Sequence, residues 1–244
     1  MLALGRLLRM LVHVGVGLWT IYRRFPGLEQ SARDAAVQAW AHTMLACLGV
    51  KLQVHGPVPE YGPVLLAANH ISWLDILVMH AARHCRFISK SDIQHWPLIG
   101  TLATAGGTLY ITRESRRDAL RVVHHMVECL RAHEVLAVFP EGTTGDGAGV
   151  LPFHANLFQA AISADAPVVP VGLRFINGRS GLASFAPCYI GDDTLIASVW
   201  RTLRARDLVA VVHFGTAQTA AGRDRRAWAA DLRSAVIRLR AIPG

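Results

Sequence analysis

Lysine is nearly missing from this chain. Lys51 and Lys90 are the only two among 25 basic residues, and the rest are arginine. Acidic residues are also scarce, 17 against those 25, which leaves a net charge of +8. Such an excess attracts anions: nucleic acid, a membrane surface or a phosphorylated ligand. The arginines are dispersed, however, and form no basic stripe with interleaved aromatics, so a nucleic-acid partner is not indicated. Four cysteines (Cys47, Cys85, Cys129 and Cys188) lie far apart with no C-x-x-C pair. That spacing argues against a secreted disulfide framework and for a reducing, cytoplasm-facing compartment. No apolar run reaches the roughly 18 uninterrupted residues that mark a membrane-spanning helix. Heptads, internal repeats and low-complexity segments are lacking as well.

What is present is apolar surface: 52% of the 244 residues are hydrophobic, enough for one large α/β domain or one domain with an appendage. The N-terminus reads "MLALGRLLRMLVHVGVGLWTIYRRF" and continues into "PG" with no small-residue cleavage site, unlike a signal peptide. Its apolar stretch from Met10 to Tyr22 spans only about 20 Å as a helix. Arg6, Arg9, His13, Gly17, Thr20 and Arg24 recur at spacings of three and four, a narrow polar stripe on an otherwise apolar helix. Such a helix can lie in a membrane interface with its arginines reaching the headgroups. The alternative is a core helix of the same protein. Pro26-Gly27 breaks it, and a second helix from about Glu29 to Leu48 completes a hydrophobic hairpin.

From Lys51 onward, β-rich runs alternate with helical stretches. The strands expected are "KLQVH", "PVLLAA", "RFIS", "GTLYIT", "VLAVF", "VVPVGL" and "LVAVVHFG". Helices are expected at about Leu74–Arg83, Trp96–Ala105, Arg116–Ala132, His154–Ala164, Thr194–Arg204 and Arg226–Arg240. The pattern predicts an α/β fold, a central and largely parallel sheet flanked by helices. The expected division is a membrane-associating hairpin over residues 1–50 and an α/β domain over 51–244.

One stretch invites chemistry. "AANHISWLD" places His70 and Asp75 five positions apart, which in a regular helix turns them about 140° from each other. Ser72 is a natural N-cap, so the helix starts after it and His70 lies in the preceding turn. The imidazole can then fold over the helix start and meet the carboxylate. A carboxylate fixes the tautomer of its histidine and leaves the other nitrogen free to take a proton from a hydroxyl. Ser72 and Asp75 also fit a capping box, in which Asp75 only satisfies backbone N–H groups and His70 is an ordinary turn residue. A metal reading rests on His80 and His84 with Cys85 beside them, but the sequence supplies no second cluster.

"NHISWLD" resembles the N-H-x-x-x-x-D motif of the glycerolipid acyltransferases, the 1-acylglycerol-3-phosphate acyltransferase family. Three further blocks follow in that family's order: "GTLYITRES" with Arg113, "VFPEGTTG", and "APVVPVGL" with Val169 and Pro170. The segment "LPFHANLFQAA" is similar too, and the likeness runs from about Leu65 to Leu173. The resemblance implies transfer of a fatty acyl group from acyl-CoA or acyl-carrier protein to the hydroxyl of a lysolipid at a membrane, with the catalytic domain on the cytoplasmic side. It implies His70 as general base and Asp75 as its orienting partner, with no metal and no cofactor. By the same resemblance Arg113 grips a lysolipid phosphate, and Glu141, Gly142 and Thr143 line the substrate site. Pro170 is expected to shape a strand edge. Many relatives carry arginine after E-G-T, where this chain has Thr144, so lyso-ornithine lipid or another lysophospholipid remains open as acceptor beside 1-acylglycerol-3-phosphate. A hydrolase that activates water, and a catalytically silent membrane protein, are the readings from other classes.

Overall fold

The computed structural model describes residues 1–111 and 116–242. All seven expected strands form: β1 (Val50–His55), β2 (Val64–Ala68), β3 (Arg86–Lys90), β4 (Leu109–Ile111), β5 (Val135–Val138), β6 (Val168–Asn177) and β7 (Leu208–Phe214). They make one sheet in the order β1-β7-β6-β2-β5-β3-β4. Neighbours are parallel except β6 and β7, which run antiparallel from Val171 opposite Phe214 to Asn177 opposite Leu208.

The helices are α1 (Leu2–Arg23), α2 (Gln30–Leu48), α3 (Leu74–Ala82), α4 (Ile99–Ala105), α5 (Arg116–Arg131), α6 (Phe158–Ala164), α7 (Leu195–Arg204) and α8 (Arg225–Ala241). Side chains of a strand alternate between faces, and here both faces are covered. Val64, Leu66 and Ala68 of β2 join a core with Met44, Leu45 and Leu48 of α2 and Leu74, Val78 and Met79 of α3. Leu65 and Ala67 enter the other core, with Met126 and Leu130 of α5, Phe158 of α6 and Trp228 and Leu232 of α8. Double coverage is why "VLLAA" and "VLAV" read as unbroken apolar runs.

Two expected helices begin later than the sequence pattern suggested. Ser91–His95 and Ala155–Leu157 are short 3₁₀ turns ahead of α4 and α6. Pro170 is not at a sheet edge, since it pairs with Ala67 inside the sheet. It is tolerated because its ring nitrogen falls just past the β6–β7 ladder, where only its carbonyl is needed, accepting from Gly215 N at 2.8 Å.

The hairpin of α1 and α2 forms, with Phe25–Gly27 as its turn. Part of the polar stripe of α1 turns into the protein, while Arg9 and Arg24 stay exposed as a membrane-interface helix requires. Arg6 is buried and donates to Leu203 O at 3.0 Å and to Ala205 O at 2.5 Å. The His13 ring stacks on Trp40 at 5.3 Å and its Nε2 bonds Trp40 O, while Trp40 Nε1 donates to His13 O. What α1 leaves bare is its apolar face: Leu4, Leu8, Leu11, Val12, Val16 and Trp19 are all exposed. At 22 residues the helix is long and apolar enough to cross a membrane, by length and composition.

Candidate active site

His70 lies in the turn that leaves the carboxyl end of β2. A buried amide fixes where that turn starts. Asn69 Nδ2 donates to Leu173 O at 3.0 Å, and Leu173 N donates back to Asn69 Oδ1 at 2.7 Å, tying β2 to β6. The regular helix begins at Leu74, with Ser72 Oγ accepting from Leu74 N at 3.1 Å. Ser72 thus serves the helix start as its sequence position suggested, one residue further out.

The imidazole and carboxylate meet. His70 Nδ1 lies 2.8 Å from Asp75 Oδ2, and the same oxygen accepts from Ile71 N at 2.6 Å and Ser72 N at 2.9 Å. The backbone contacts of a cap and the contact to the imidazole therefore both form, on one carboxylate oxygen. Because Oδ2 is an acceptor, Nδ1 carries the proton and Nε2 presents its lone pair. Asp75 is fully buried, while the His70 side chain is 17% exposed. Among the described residues Asp75 Oδ1 is buried without a hydrogen-bond partner, so the contacts given for the carboxylate all fall on Oδ2, on the side of the ring.

The rest of the histidine is clamped as well. Its ring lies flat on Phe139, centroids 3.9 Å apart and planes within 9°, and Phe139 stacks in turn on Phe87. His70 N donates to Glu141 Oε1 at 2.6 Å, and Gly145 N donates to His70 O at 2.8 Å. Glu141 is buried, and its second oxygen accepts from Leu151 N at 2.6 Å. Burial pushes the Glu141 carboxyl above its ordinary range, opposed by these two amides, His70 and Arg240. Glu141 is thus set as an internal brace between the histidine turn and the loop after it.

Gly142 makes that loop possible. Its φ is +72°, and a Cβ there would come within 2.9 Å of the His154 ring. Thr143 is exposed at the tip of the turn, and Thr144 donates its hydroxyl to Tyr189 O. Arg113 lies outside the described residues. Sequence reasoning assigned no role to Phe139, Asn69 or Arg240, which the fold brings to this turn. Arg240 of α8 donates to the carbonyls of Leu173, Gly149 and Gly147. The segment 187–189 is fastened there too, by Ser72 Oγ on Pro187 O and Tyr189 N on Ile71 O. Proximity of Asn69 and Phe139 was visible in the quoted motifs. Nothing in the sequence linked Arg240 to them.

His80 and His84 stack on each other at 5.2 Å, and His84 Nε2 meets Asp34 Oδ1 at 3.2 Å. Among the described residues no group of three His, Cys, Asp or Glu side chains is placed to hold a metal ion. A cavity of about 520 Å³ opens at the other end of the sheet, by Gly62 and Val135. Asp34 pairs there with His84 and Arg86 with Glu134 at 2.5 Å, Arg83 donates to the carbonyls of Pro59, His84 and Glu60, and His70 is not among its lining residues.

The chain that carries this imidazole is similar to known proteins. A family model described as Acyltransferase matches residues 51–174. The chain is 37% identical over 211 residues to a 1-acyl-sn-glycerol-3-phosphate acyltransferase of Neisseria gonorrhoeae, covering 85% of this chain and 82% of that one. It is 36% identical over 198 residues to a lyso-ornithine lipid O-acyltransferase of Pseudomonas aeruginosa, covering 80% and 75%. The crystal structure of the 1-acyl-sn-glycerophosphate acyltransferase PlsC from Thermotoga maritima shares the fold, with a TM-score of 0.68 at 18% identity over 99% of this chain and 95% of that one. By this family model and these relatives, the chain belongs to the glycerolipid acyltransferase family and is an O-acyltransferase.

Proposed function

We propose that this enzyme moves a fatty acyl group from a thioester, acyl-CoA or acyl-carrier protein, to the free hydroxyl of a lysolipid, with 1-acylglycerol-3-phosphate as the first candidate acceptor. The observation that carries the reading is His70: Nδ1 held by buried Asp75 at 2.8 Å, the ring partly open and Nε2 unencumbered by that bond.

In the proposed step Nε2 takes the acceptor's hydroxyl proton as the oxygen attacks the thioester carbonyl carbon. The tetrahedral intermediate collapses, the C–S bond breaks, and the imidazolium returns its proton to the leaving thiolate. Asp75 stabilises the imidazolium in between, worth about 10²- to 10⁴-fold together with proton transfer. Glu141 acts here through the backbone, holding the His70 N–H, and Gly142 and Thr143 form the exposed turn facing the acceptor. Arg113 is assigned to an acceptor phosphate on its chemistry, a guanidinium fork that matches phosphate oxygens. Residues 1–50 are read as the membrane-associating unit and 51–244 as the catalytic domain, lying on the cytoplasmic side. The bare apolar face of α1 supports the membrane association.

Thr144 favours a second acceptor. Its hydroxyl is committed to Tyr189 O, where an arginine could have offered a phosphate contact, and lyso-ornithine lipid carries no phosphate. The lyso-ornithine lipid O-acyltransferase of Pseudomonas aeruginosa is comparably similar. Purified enzyme with labelled acyl thioester and a panel of lysolipids decides between them. A new diacyl lipid identifies the acceptor, whereas free fatty acid alone refutes acyl transfer.

A further inference from the structure

The sequence "HWPLIG" was expected to open a helix at Trp96, but it folds instead as an irregular turn. Ile99 N donates to Pro97 O at 2.7 Å across Leu98, whose φ is 63° and ψ −50°. This is a γ-turn of the rare, strained hand. Glycine would adopt it without a Cβ penalty. The residue present is leucine, and it is 55% exposed, with Trp96 and Ile99 exposed beside it. A strained backbone that holds a large apolar side chain out in water serves neither conformation nor burial. Strain of this kind points to a contact made outside the chain.

Its position says what the contact is. The turn follows the carboxyl end of β3, and His70 follows the carboxyl end of the parallel β2. α4 packs on α1, whose outer face is the exposed apolar stripe, and α7 packs on α1 as well. On its outer side α7 shows exposed Ile196 and Trp200, while Trp73 Nε1, next to the catalytic turn, bonds Ser198 Oγ at 3.0 Å. We propose that Trp96, Leu98 and Ile99, together with Ile196 and Trp200, form a lipid-bilayer docking rim around the His70 opening. These side chains enter the headgroup–acyl boundary beyond what α1 provides, so that a lysolipid passes to Nε2 from the membrane plane. Tryptophan is suited to that depth, and the net charge of +8 favours an anionic surface. Continuity with α1 selects a bilayer over a protein partner. The inference rests on the lysolipid-acylation reading above.

The test uses the full chain, Leu98→Gly alone and combined with Trp96→Ala, and vesicles of phosphatidylglycerol and phosphatidylethanolamine. Leu98→Gly is expected to keep or raise the unfolding midpoint, because it relieves the turn. Transfer to a short-chain lysolipid dissolved as monomers stays at the wild-type rate. Vesicle binding, and transfer to a vesicle-borne acceptor, fall about tenfold in the double variant, since apolar transfer is lost from a leucine and a tryptophan. Wild-type vesicle binding by the double variant overturns the rim. So does a lower midpoint in Leu98→Gly, which means the chain itself holds that side chain, or an equal loss with the dissolved acceptor. A wild-type enzyme that binds vesicles yet transfers no acyl group instead sinks the acylation reading, and the binding comparison still reports on the rim.

Discussion

Replacing Asp75 by asparagine isolates charge from geometry. Oδ2 accepts three N–H groups, from His70, Ile71 and Ser72. An asparagine that places its amide oxygen there keeps all three hydrogen bonds and the His70 tautomer. The new NH₂ takes the position of Oδ1, which is buried and, among the described residues, unpartnered. Leaving it unsatisfied costs about 1–3 kcal/mol of stability. The catalytic loss is that of a negative charge beside a forming imidazolium. Opposite charges at about 4 Å and an effective dielectric near 20 attract by about 4 kcal/mol. The amide dipole retains part of this, so kcat is expected to fall roughly 10²- to 10³-fold, at 1.36 kcal/mol per decade. The KM for the lysolipid should change little. Single-turnover transfer from a labelled thioester measures the chemical step, and urea titration checks the fold. A folded Asp75→Asn enzyme within about threefold of the wild-type rate refutes the electrostatic role.

Further outcomes are expected elsewhere. Glu141→Gln sets an NH₂ against one of two backbone N–H groups that now find an oxygen, His70 N or Leu151 N. It should cost about 1–3 kcal/mol in denaturant titration and lower kcat more than it raises KM; undiminished kcat removes the brace from the account. Burial holds His80 down at about 3, against 6.5 when exposed. A lowered value means stability present above the unfolded pKa and lost as pH falls through 6.5 toward 3. From pH 7 to pH 5 this residue alone removes about 2 kcal/mol. His80→Leu should flatten that stretch of the stability–pH curve, and an unchanged slope contradicts the assignment. Arg113→Ala should weaken apparent affinity for phosphate-bearing acceptors while sparing lyso-ornithine lipid, and equal affinity for both classes argues against the phosphate role.

Most strands could be read in advance because they are short apolar runs, β1 because it alternates polar and apolar residues, and the helices because α5, α7 and α8 repeat their apolar positions at helical spacing. Strand order was not legible, since pairing is decided by connections and not by composition. The antiparallel joining of β6 and β7 left no mark in "VVPVGL" or "LVAVVHFG". The His70–Asp75 contact could be anticipated because a serine cap places the histidine just outside the helix. The orientation of Glu141 could not. It depends on the loop from Gly145 to Leu151 folding back, which Arg240 and Arg233 fasten from α8, some 80 to 90 residues later. On α1, periodicity revealed two faces without saying which meets the protein. Arg6 turned inward because the carbonyls of Leu203 and Ala205 at the end of α7 lie within reach of its guanidinium. Leu98 was hidden for a local reason: a strained turn has no residue signature when the residue is not glycine.

The most direct test of the central claim is acyl transfer by His70→Ala, measured as diacyl lipid formed from labelled thioester and lysolipid on vesicles. Vesicle binding is followed in the same samples. The account predicts binding at the wild-type level with no product above the uncatalysed background. Diacyl lipid formed at an undiminished rate would contradict it.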